Sequence, residues 1–181
     1  MLKHKIKKTK IKAYIFDLFG TLAYYTMRKE IMEFVGEEYE HLFVTSLAKS
    51  KLPEERKKQF IELYSKSKIL LYEDSKRVIK KLKKNYKLGM ISNLCEDTVK
   101  KVREDLKVFL KNFDVIAISS ELGFMKPAHR IFIYTLDQLG VRPEEAIMIG
   151  DKLERDIIPA QQLGMGTILI DRNTQTLKEL I

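Results

Sequence analysis

Five short apolar runs recur along the chain, and a polar or acidic residue follows each of them, directly or after one glycine. They span residues 12–16, 87–91, 114–118, 146–149 and 167–170. Runs of this length, rich in β-branched residues and bounded by Gly, Asp or Ser, favour strands over helices. The sequence therefore predicts five strands of the buried kind.

Apolar residues recur at helical spacing between these runs. Two series share this spacing: Val99, Val102, Leu106, Phe109 and Leu110, and then Ile131, Thr135, Leu136 and Leu139. Gly140 and Gly164 stand where a glycine commonly ends a helix. Strands that alternate with helices predict the α/β fold class, a Rossmann-like core with a parallel sheet and helices on both faces.

Residues 22–73 break the alternation, because they contain no run that resembles a buried strand. Two sets of apolar residues keep helical spacing there: Ile31, Val35, Tyr39, Leu42 and Phe43, and then Phe60, Ile61, Leu63 and Tyr64. Pro53 precedes the second set and is typical of a helix's first turn, so we expect that helix to bury its apolar set. We predict an α/β core over residues 1–21 and 74–181, with residues 22–73 forming a small helical cap. An ordinary helical hairpin of the core is the alternative.

Every predicted strand ends in polar or acidic residues on the same edge of the sheet. Ligands of open parallel sheets bind outside the carboxyl ends of the strands. The pattern alone therefore indicates a polar site built from Asp17, Ser92, Asn93, Ser119 and Asp151.

Composition narrows the class of protein. Of 181 residues, 45% are hydrophobic and 33% are charged, which is typical of a globular chain. No apolar run approaches the length of a membrane span, and the basic residues 1–12 lack the apolar stretch of a secretory signal. Cys95 is the only cysteine, which excludes an internal disulfide and suits a reducing compartment. We therefore expect a cytoplasmic protein with no membrane contact.

The net charge of +9 admits anionic partners. Many of the lysines lie on helix faces, and no aromatic stacking pattern accompanies them. We therefore expect a small anionic substrate and not nucleic acid, while the oligomeric state stays open.

Four short motifs follow one another at the strand ends: Asp17-Leu18-Phe19-Gly20-Thr21, Ile91-Ser92-Asn93, Lys126-Pro127, and Gly150-Asp151 with Asp156. Singly, each has an ordinary structural interpretation as a turn, a helix cap, a surface lysine or a first-turn acid. Together and in this order they resemble the motifs of the haloacid dehalogenase-like hydrolases. The stretch 119–163 is especially similar to that family, and the resemblance covers nearly the whole chain outside the insertion.

The resemblance implies a role for each motif. Asp17 matches a nucleophile that forms a covalent intermediate, and Lys126 matches the lysine that neutralises charge at the reacting centre. Ser92 and Asn93 match the motif that holds the transferred group. Thr21 matches the residue that orients the nucleophile.

The resemblance also implies a Mg²⁺ ion as cofactor. Asp17, Asp151 and the backbone carbonyl of Phe19 match its oxygen ligands. Asp156 matches an acid that contacts the ion through a water molecule or hydrogen-bonds to the groups that bind the ion directly.

Phe19 departs from the pattern of most phosphatases of this family, which carry a second Asp there. That Asp protonates the leaving oxygen and later activates water, a contribution of about 10²–10⁴-fold. An aromatic residue at this position resembles the dehalogenases, which expel halide without a proton. Asp151 resembles the metal-binding phosphatases instead, because dehalogenases place a serine there.

Three hypotheses follow from this mixture of features. The first is a Mg²⁺-dependent hydrolase of a small phosphorylated metabolite with an activated leaving group. The second is a 2-haloacid dehalogenase that needs no metal. The third is a weakly active or non-catalytic binding protein on the same scaffold.

Overall fold

A parallel five-stranded sheet forms the centre of the computed structural model, which describes residues 10–36 and 51–179. The strand order is β5-β4-β1-β6-β7. In chain order these strands are β1 (Ala13–Phe16), β4 (Lys87–Ser92), β5 (Val115–Ile118), β6 (Ala146–Gly150) and β7 (Gly166–Leu169). Two further strands, β2 (Ala23–Tyr25) and β3 (Ile69–Leu71), form a separate antiparallel pair.

β1 lies in the middle of the sheet, so its carboxyl end is the natural position for a site. Phe16, the last residue of β1, is in register with Met90 of β4 and with Ile149 of β6. The chain first extends the sheet on the β4 side and then returns to extend it on the β6 side. Such a reversal of strand order opens a crevice at the carboxyl edge, where open α/β sheets bind their ligands.

Helices cover both faces of the sheet. They are α1 (Arg28–Val35), α2 (Glu54–Lys66), α3 (Ser75–Leu82), α4 (Glu96–Asp105), α5 (Lys107–Leu110), α6 (Ser119–Leu122), α7 (His129–Leu139) and α8 (Ile158–Gln162). Successive residues of β1 point to opposite faces, as a strand requires. Phe16 therefore belongs to one apolar layer and Ile15 to the other. Two buried layers explain why the core strands read as continuous apolar runs.

The predicted fold class is confirmed, and the five predicted strands are found within one or two residues of the predicted bounds. The short strands β2 and β3 were not predicted. Phe60 is buried as expected, whereas Ile61 is 54% exposed and the expectation for it was wrong. Tyr39, Leu42 and Phe43 lie outside the described residues.

The insertion has a small apolar cluster of its own. Ile31 of α1, Leu52 and Phe60 of α2 form a buried group separate from the two layers of the main core. The ribbon of β2 and β3 joins this part to the core, where Leu22 O accepts hydrogen bonds from Tyr72 N and Ser75 Oγ. The cap boundaries at residues 22 and 73 stay a prediction. No helix among residues 10–36 and 51–179 combines the length and the apolar character that crossing a bilayer requires.

Candidate active site

The loop after β1 places Asp17 at the centre of the carboxyl edge. Asp17 N donates to Ile149 O at 2.9 Å, which extends the β1–β6 ladder by one residue. The chain then turns sharply, because Leu18 O accepts hydrogen bonds from the backbone N–H groups of Leu22 and Ala23. These backbone bonds fix the main chain of Asp17 at the end of a buried strand.

Gly20 is required in this turn for two independent reasons. Its φ of 82° lies in the left-handed region that other L-residues rarely adopt. A Cβ atom at this position would also overlap the carboxylate of Asp151. The glycine therefore lets the first motif pack directly against the fourth.

Lys126 lies between two carboxylates in the middle of the site. Its Nζ is 2.6 Å from Asp17 Oδ1 and 2.6 Å from Asp156 Oδ1. Only 4% of Lys126 is exposed, and Asp156 is fully buried. This burial shows that the interpretation of Lys126 as a surface lysine is wrong. Charged side chains buried this deeply almost always have a partner, and Lys126 has two.

Asp156 is anchored on both of its oxygens. While Oδ1 accepts from Lys126, Oδ2 accepts from Lys152 N at 3.0 Å. Gly150 makes this possible, because a Cβ atom there would overlap the Asp156 side chain. Asp156 lies in the π-helical turn Leu153–Ile157, which thereby packs closely against the end of β6.

Three carboxylates of the site converge closely enough to bind one cation. Asp17, Asp151 and Asp156 each place an oxygen within 4.8 Å of the others. With Lys126 these groups carry a formal charge of −2, which one divalent cation would cancel. Carboxylate oxygens are also the ligands that hard divalent ions prefer, so the residues fit such an ion.

Burial dominates the electrostatics of the site. It raises the pKa of Asp17 to about 7, with the ammonium of Lys126 opposing the rise and the carboxylates of Asp156 and Asp151 adding to it. Burial likewise raises the pKa of Asp151. Although burial alone would lower the pKa of Lys126, the two adjacent carboxylates raise it above its ordinary value. Burial therefore disfavours the ionised forms of Asp17 and Asp151, and a bound divalent cation would offset this.

The second motif lies beside these groups. Ser92 is the buried last residue of β4. Asn93 donates from Nδ2 to Lys126 O at 2.8 Å and accepts at Oδ1 from Lys126 N at 2.9 Å. Thr21 is fully buried, and its Oγ1 has no hydrogen-bond partner among the described residues. The orienting role expected of Thr21 and the substrate-holding roles of Ser92 and Asn93 remain predictions.

The ring of Phe19 contacts an aromatic residue of the insertion. The Phe19 ring stacks on Tyr25 of β2 with centroids 4.3 Å apart and planes 11° apart. Tyr25 in turn lies near Tyr64 of α2, with centroids 5.8 Å apart. The residue that replaces an acid is thus part of an aromatic contact between the first motif and the insertion, which the sequence did not reveal.

Ser119 was expected at the polar edge of the sheet from its position after a strand, and the structure shows that it binds the Leu94 backbone. Its Oγ accepts from Leu94 N at 3.0 Å and donates to Leu94 O at 3.2 Å. Ser119 therefore holds the loop after β4 through both backbone polar groups of Leu94.

Comparison with known proteins agrees with this geometry. A family model described as haloacid dehalogenase-like hydrolase matches residues 8–170. The chain belongs to the haloacid dehalogenase-like hydrolase family. The four motifs that suggested the family from sequence are those that meet at the carboxyl edge.

Several curated proteins with sequences similar to this chain are phosphatases. The chain is 38% identical over 89 residues to the glyceraldehyde 3-phosphate phosphatase of Methanothermobacter thermautotrophicus, covering 49% of this chain and 38% of that protein. It is 33% identical over 106 residues to the N-acylneuraminate-9-phosphatase of Homo sapiens, covering 57% of this chain and 42% of that protein. The chain thus matches less than half the length of either relative.

Solved structures of the family superpose over nearly the whole chain. A HAD phosphatase from Thermococcus onnurineus shares 26% identity at a TM-score of 0.64, covering 92% of this chain and 89% of that one. A HAD family enzyme from Bacteroides thetaiotaomicron, solved with magnesium and inorganic phosphate, gives a TM-score of 0.67 at 19% identity, covering 94% and 99%. At 19% identity, the comparison with the B. thetaiotaomicron enzyme shows a shared fold and nothing more.

Proposed function

We propose that this protein is a Mg²⁺-dependent phosphatase that hydrolyses small phosphorylated metabolites with activated leaving groups. The observation that carries the proposal is the position of Lys126 between Asp17 and Asp156, with Asp151 beside them. This arrangement supports the assignment of Asp17 as the nucleophile, Lys126 as a fixed cation and the carboxylates as metal ligands within one cluster.

The reaction begins with attack of an Asp17 oxygen on the phosphorus of the substrate. A bond from that oxygen to phosphorus forms, and the bond from phosphorus to the leaving oxygen breaks, so that the electron pair departs with the leaving group. Water then attacks the phosphorus of the aspartyl phosphate, and the bond from phosphorus to the Asp17 oxygen breaks. Asp17 returns to its carboxylate form, and the protons of the water leave with inorganic phosphate or pass to the solvent. Lys126 stays beside the phosphoryl oxygens through both steps, and one well-placed donor in a dry site contributes about 3–4 kcal/mol.

Mg²⁺ fits the same cluster. Asp17 and Asp151 would bind it directly, and Asp156 would contact it through water or through these ligands. The bound ion would supply positive charge for the phosphoryl oxygens. The formal charge of −2 and the raised pKa values of Asp17 and Asp151 support a divalent cation here. The magnesium and phosphate bound to the B. thetaiotaomicron enzyme offer a precedent on this fold.

The named relatives support small phosphorylated compounds as substrates, and Phe19 restricts which of these compounds can react. Its ring cannot transfer a proton, so the leaving oxygen must depart largely as an anion. Acyl and aryl phosphates meet this condition and alkyl phosphates do not. Phe19 also supports a second candidate, a 2-haloacid dehalogenase, because halide needs no proton to leave.

We predict that the rate at which Asp17 takes up the phosphoryl group depends steeply on the pKa of the leaving group. Wild-type protein should hydrolyse acetyl phosphate and 4-nitrophenyl phosphate, while glycerol phosphate should react at least about 10²-fold more slowly. Phe19→Asp should raise alkyl phosphatase activity by about tenfold, short of the full range because the pocket was not shaped for an acid. Release of inorganic phosphate measures all three substrates.

Phe19→Ala is the matched control, since it removes the stack on Tyr25 without adding a proton donor. It should leave the ratio of alkyl to aryl turnover unchanged. Equal and fast turnover of both ester types by the wild type would refute the role of Phe19. Chloride release from 2-chloropropionate without Mg²⁺ would establish the dehalogenase instead.

Asp151→Asn should weaken Mg²⁺ binding by at least about tenfold, because it removes one anionic ligand of a hard cation. Isothermal calorimetry of the purified protein measures this directly. Asp171→Asn is the control: Asp171 follows β7 at the same edge but caps its own turn through Asn173 and Thr174. Loss of affinity in both variants, or in neither, would argue against the assigned ligands.

Gly20→Ala should disturb the metal site more than its backbone strain explains. Gly20 and Gly123 both have positive φ, of 82° and 75°. A Cβ at Gly20 overlaps Asp151, whereas a Cβ at Gly123 meets nothing within 4 Å. Both alanine variants should lose about 1–2 kcal/mol of unfolding free energy, and only Gly20→Ala should also lose Mg²⁺ affinity. Equal Mg²⁺ affinity in the two variants would contradict the packing of Gly20 on Asp151.

A further inference from the structure

The side-chain amide of Asn93 forms hydrogen bonds with both polar backbone atoms of Lys126. Nδ2 donates to Lys126 O at 2.8 Å, and Oδ1 accepts from Lys126 N at 2.9 Å. The peptide N–H can only donate and the carbonyl can only accept, so this pairing allows one orientation of the amide. Asparagine is therefore specified here more tightly than a substrate-facing polar residue would be.

The loop that carries Asn93 is itself fixed. Asn93 directly follows Ser92, the last residue of β4, and precedes Leu94. Ser119, which directly follows β5, binds both polar groups of the Leu94 backbone. Asn93 thus projects from a loop held by the sheet on one side and by Ser119 on the other, which makes it a rigid support for Lys126.

The position of the Lys126 backbone matters because its side chain must reach two acceptors at once. Nζ is 2.6 Å from an oxygen of Asp17 and from an oxygen of Asp156, and these acids are held by β1 and by the turn after β6. The lysine arrives from the loop between α6 and α7, which has no strand to hold it. A displacement of about 1 Å at a catalytic group can cost about 10²-fold in rate.

We propose that the side chain of Asn93 is a positioning group that acts through Lys126, and that it does not hold the transferred phosphoryl group. Its amide fixes the Lys126 backbone so that the ammonium lies between the nucleophile and Asp156. The kinetic part of this inference rests on the proposed phosphatase activity.

A double-variant cycle on 4-nitrophenyl phosphate turnover separates the two roles. Asn93→Ala alone should lower kcat by about 10–100-fold, while in a Lys126→Met background the same change should cost less than about threefold. A residue that acts only through Lys126 gives such non-additive losses. Losses that multiply would overturn the inference and favour direct contact of Asn93 with the phosphoryl group.

Chemical labelling of Lys126 provides a readout that needs no activity. The wild-type amine is buried between two acids, so an amine-reactive acylating reagent should modify it slowly, as peptide mass spectrometry reports for each lysine. Asn93→Ala should speed labelling of Lys126 by about tenfold or more, because two of the bonds that hold its backbone are lost. Asn112→Ala is the matched control, because Asn112 donates to Phe109 O at 2.7 Å far from Lys126.

Asn93→Asp covers the case in which the alanine variant folds poorly. It keeps the size of the side chain and can still accept from Lys126 N, but it sets a carboxylate oxygen against Lys126 O. Its Lys126 labelling should also rise above that of the wild type. Unchanged labelling in both Asn93 variants would overturn the inference, and absence of any turnover by the wild type would refute the proposed function alone.

Discussion

Asp17→Asn is expected to lower kcat for 4-nitrophenyl phosphate by about 10⁴-fold or more. The amide cannot attack phosphorus, and removal of a nucleophile leaves only binding and electrostatic contributions to the rate. Steady-state phosphate release at saturating Mg²⁺ measures the loss. This is the largest effect that the proposed mechanism predicts for any single side chain.

The loss in Asp17→Asn should not come from unfolding. Burial raises the pKa of Asp17, which means that the ionised carboxylate is unfavourable in the metal-free fold. Its stability cost is absent well below the ordinary pKa and grows as the pH rises toward 7. A neutral asparagine avoids that cost, so the thermal midpoint at neutral pH should stay within a few degrees of the wild type. Residual activity above one-tenth in a folded variant would exclude Asp17 as the nucleophile.

Lys126→Met is expected to have the second largest effect, and it should act on both rate and stability. Loss of the ammonium between Asp17 and Asp156 should lower kcat by about 10²–10³-fold. It also leaves two buried carboxylates unpaired, which should cost about 3–5 kcal/mol of unfolding free energy in metal-free protein. Denaturant unfolding in EDTA measures the second quantity.

A second substitution separates the two effects of Lys126→Met. Adding Asp156→Asn removes one of the unpaired charges, so the double variant should recover part of the lost stability and none of the lost activity. Lys83→Met is the control, because Lys83 forms a half-exposed ion pair with Asp114 and should cost at most about 1 kcal/mol. Equal stability loss in the two lysine variants would contradict the burial of Lys126.

Much of the core is predictable because its physics is local in the sequence. The inner strands β1, β4 and β6 are mostly buried on both faces and therefore read as continuous apolar runs. The residues that end those runs must meet at one edge, so the strand pattern alone predicts that Asp17 and Asp151 lie near each other. The order of the four motifs then indicates the family.

Other features depend on contacts that no local pattern encodes. The strands β2 and β3 have only three residues each, too few for an alternating pattern to stand out. In the sequence Asn93 resembles a helix cap or a substrate ligand, and its partner lies 33 residues away in the chain. The steric need for Gly20 and Gly150 likewise follows from acids in other motifs that pack against them.

In the proposed mechanism, Asp17 carries the phosphoryl group during turnover. Phe19 cannot activate the water that cleaves the aspartyl phosphate, so this intermediate should accumulate with acetyl phosphate, whose leaving group departs readily. Borohydride added to the quenched reaction reduces a phosphorylated aspartate to homoserine. Peptide mass spectrometry then locates the homoserine in the sequence. The mechanism predicts homoserine at position 17 with Mg²⁺ and its absence in Asp17→Asn. Steady hydrolysis of acetyl phosphate with no modification at Asp17 would contradict the mechanism.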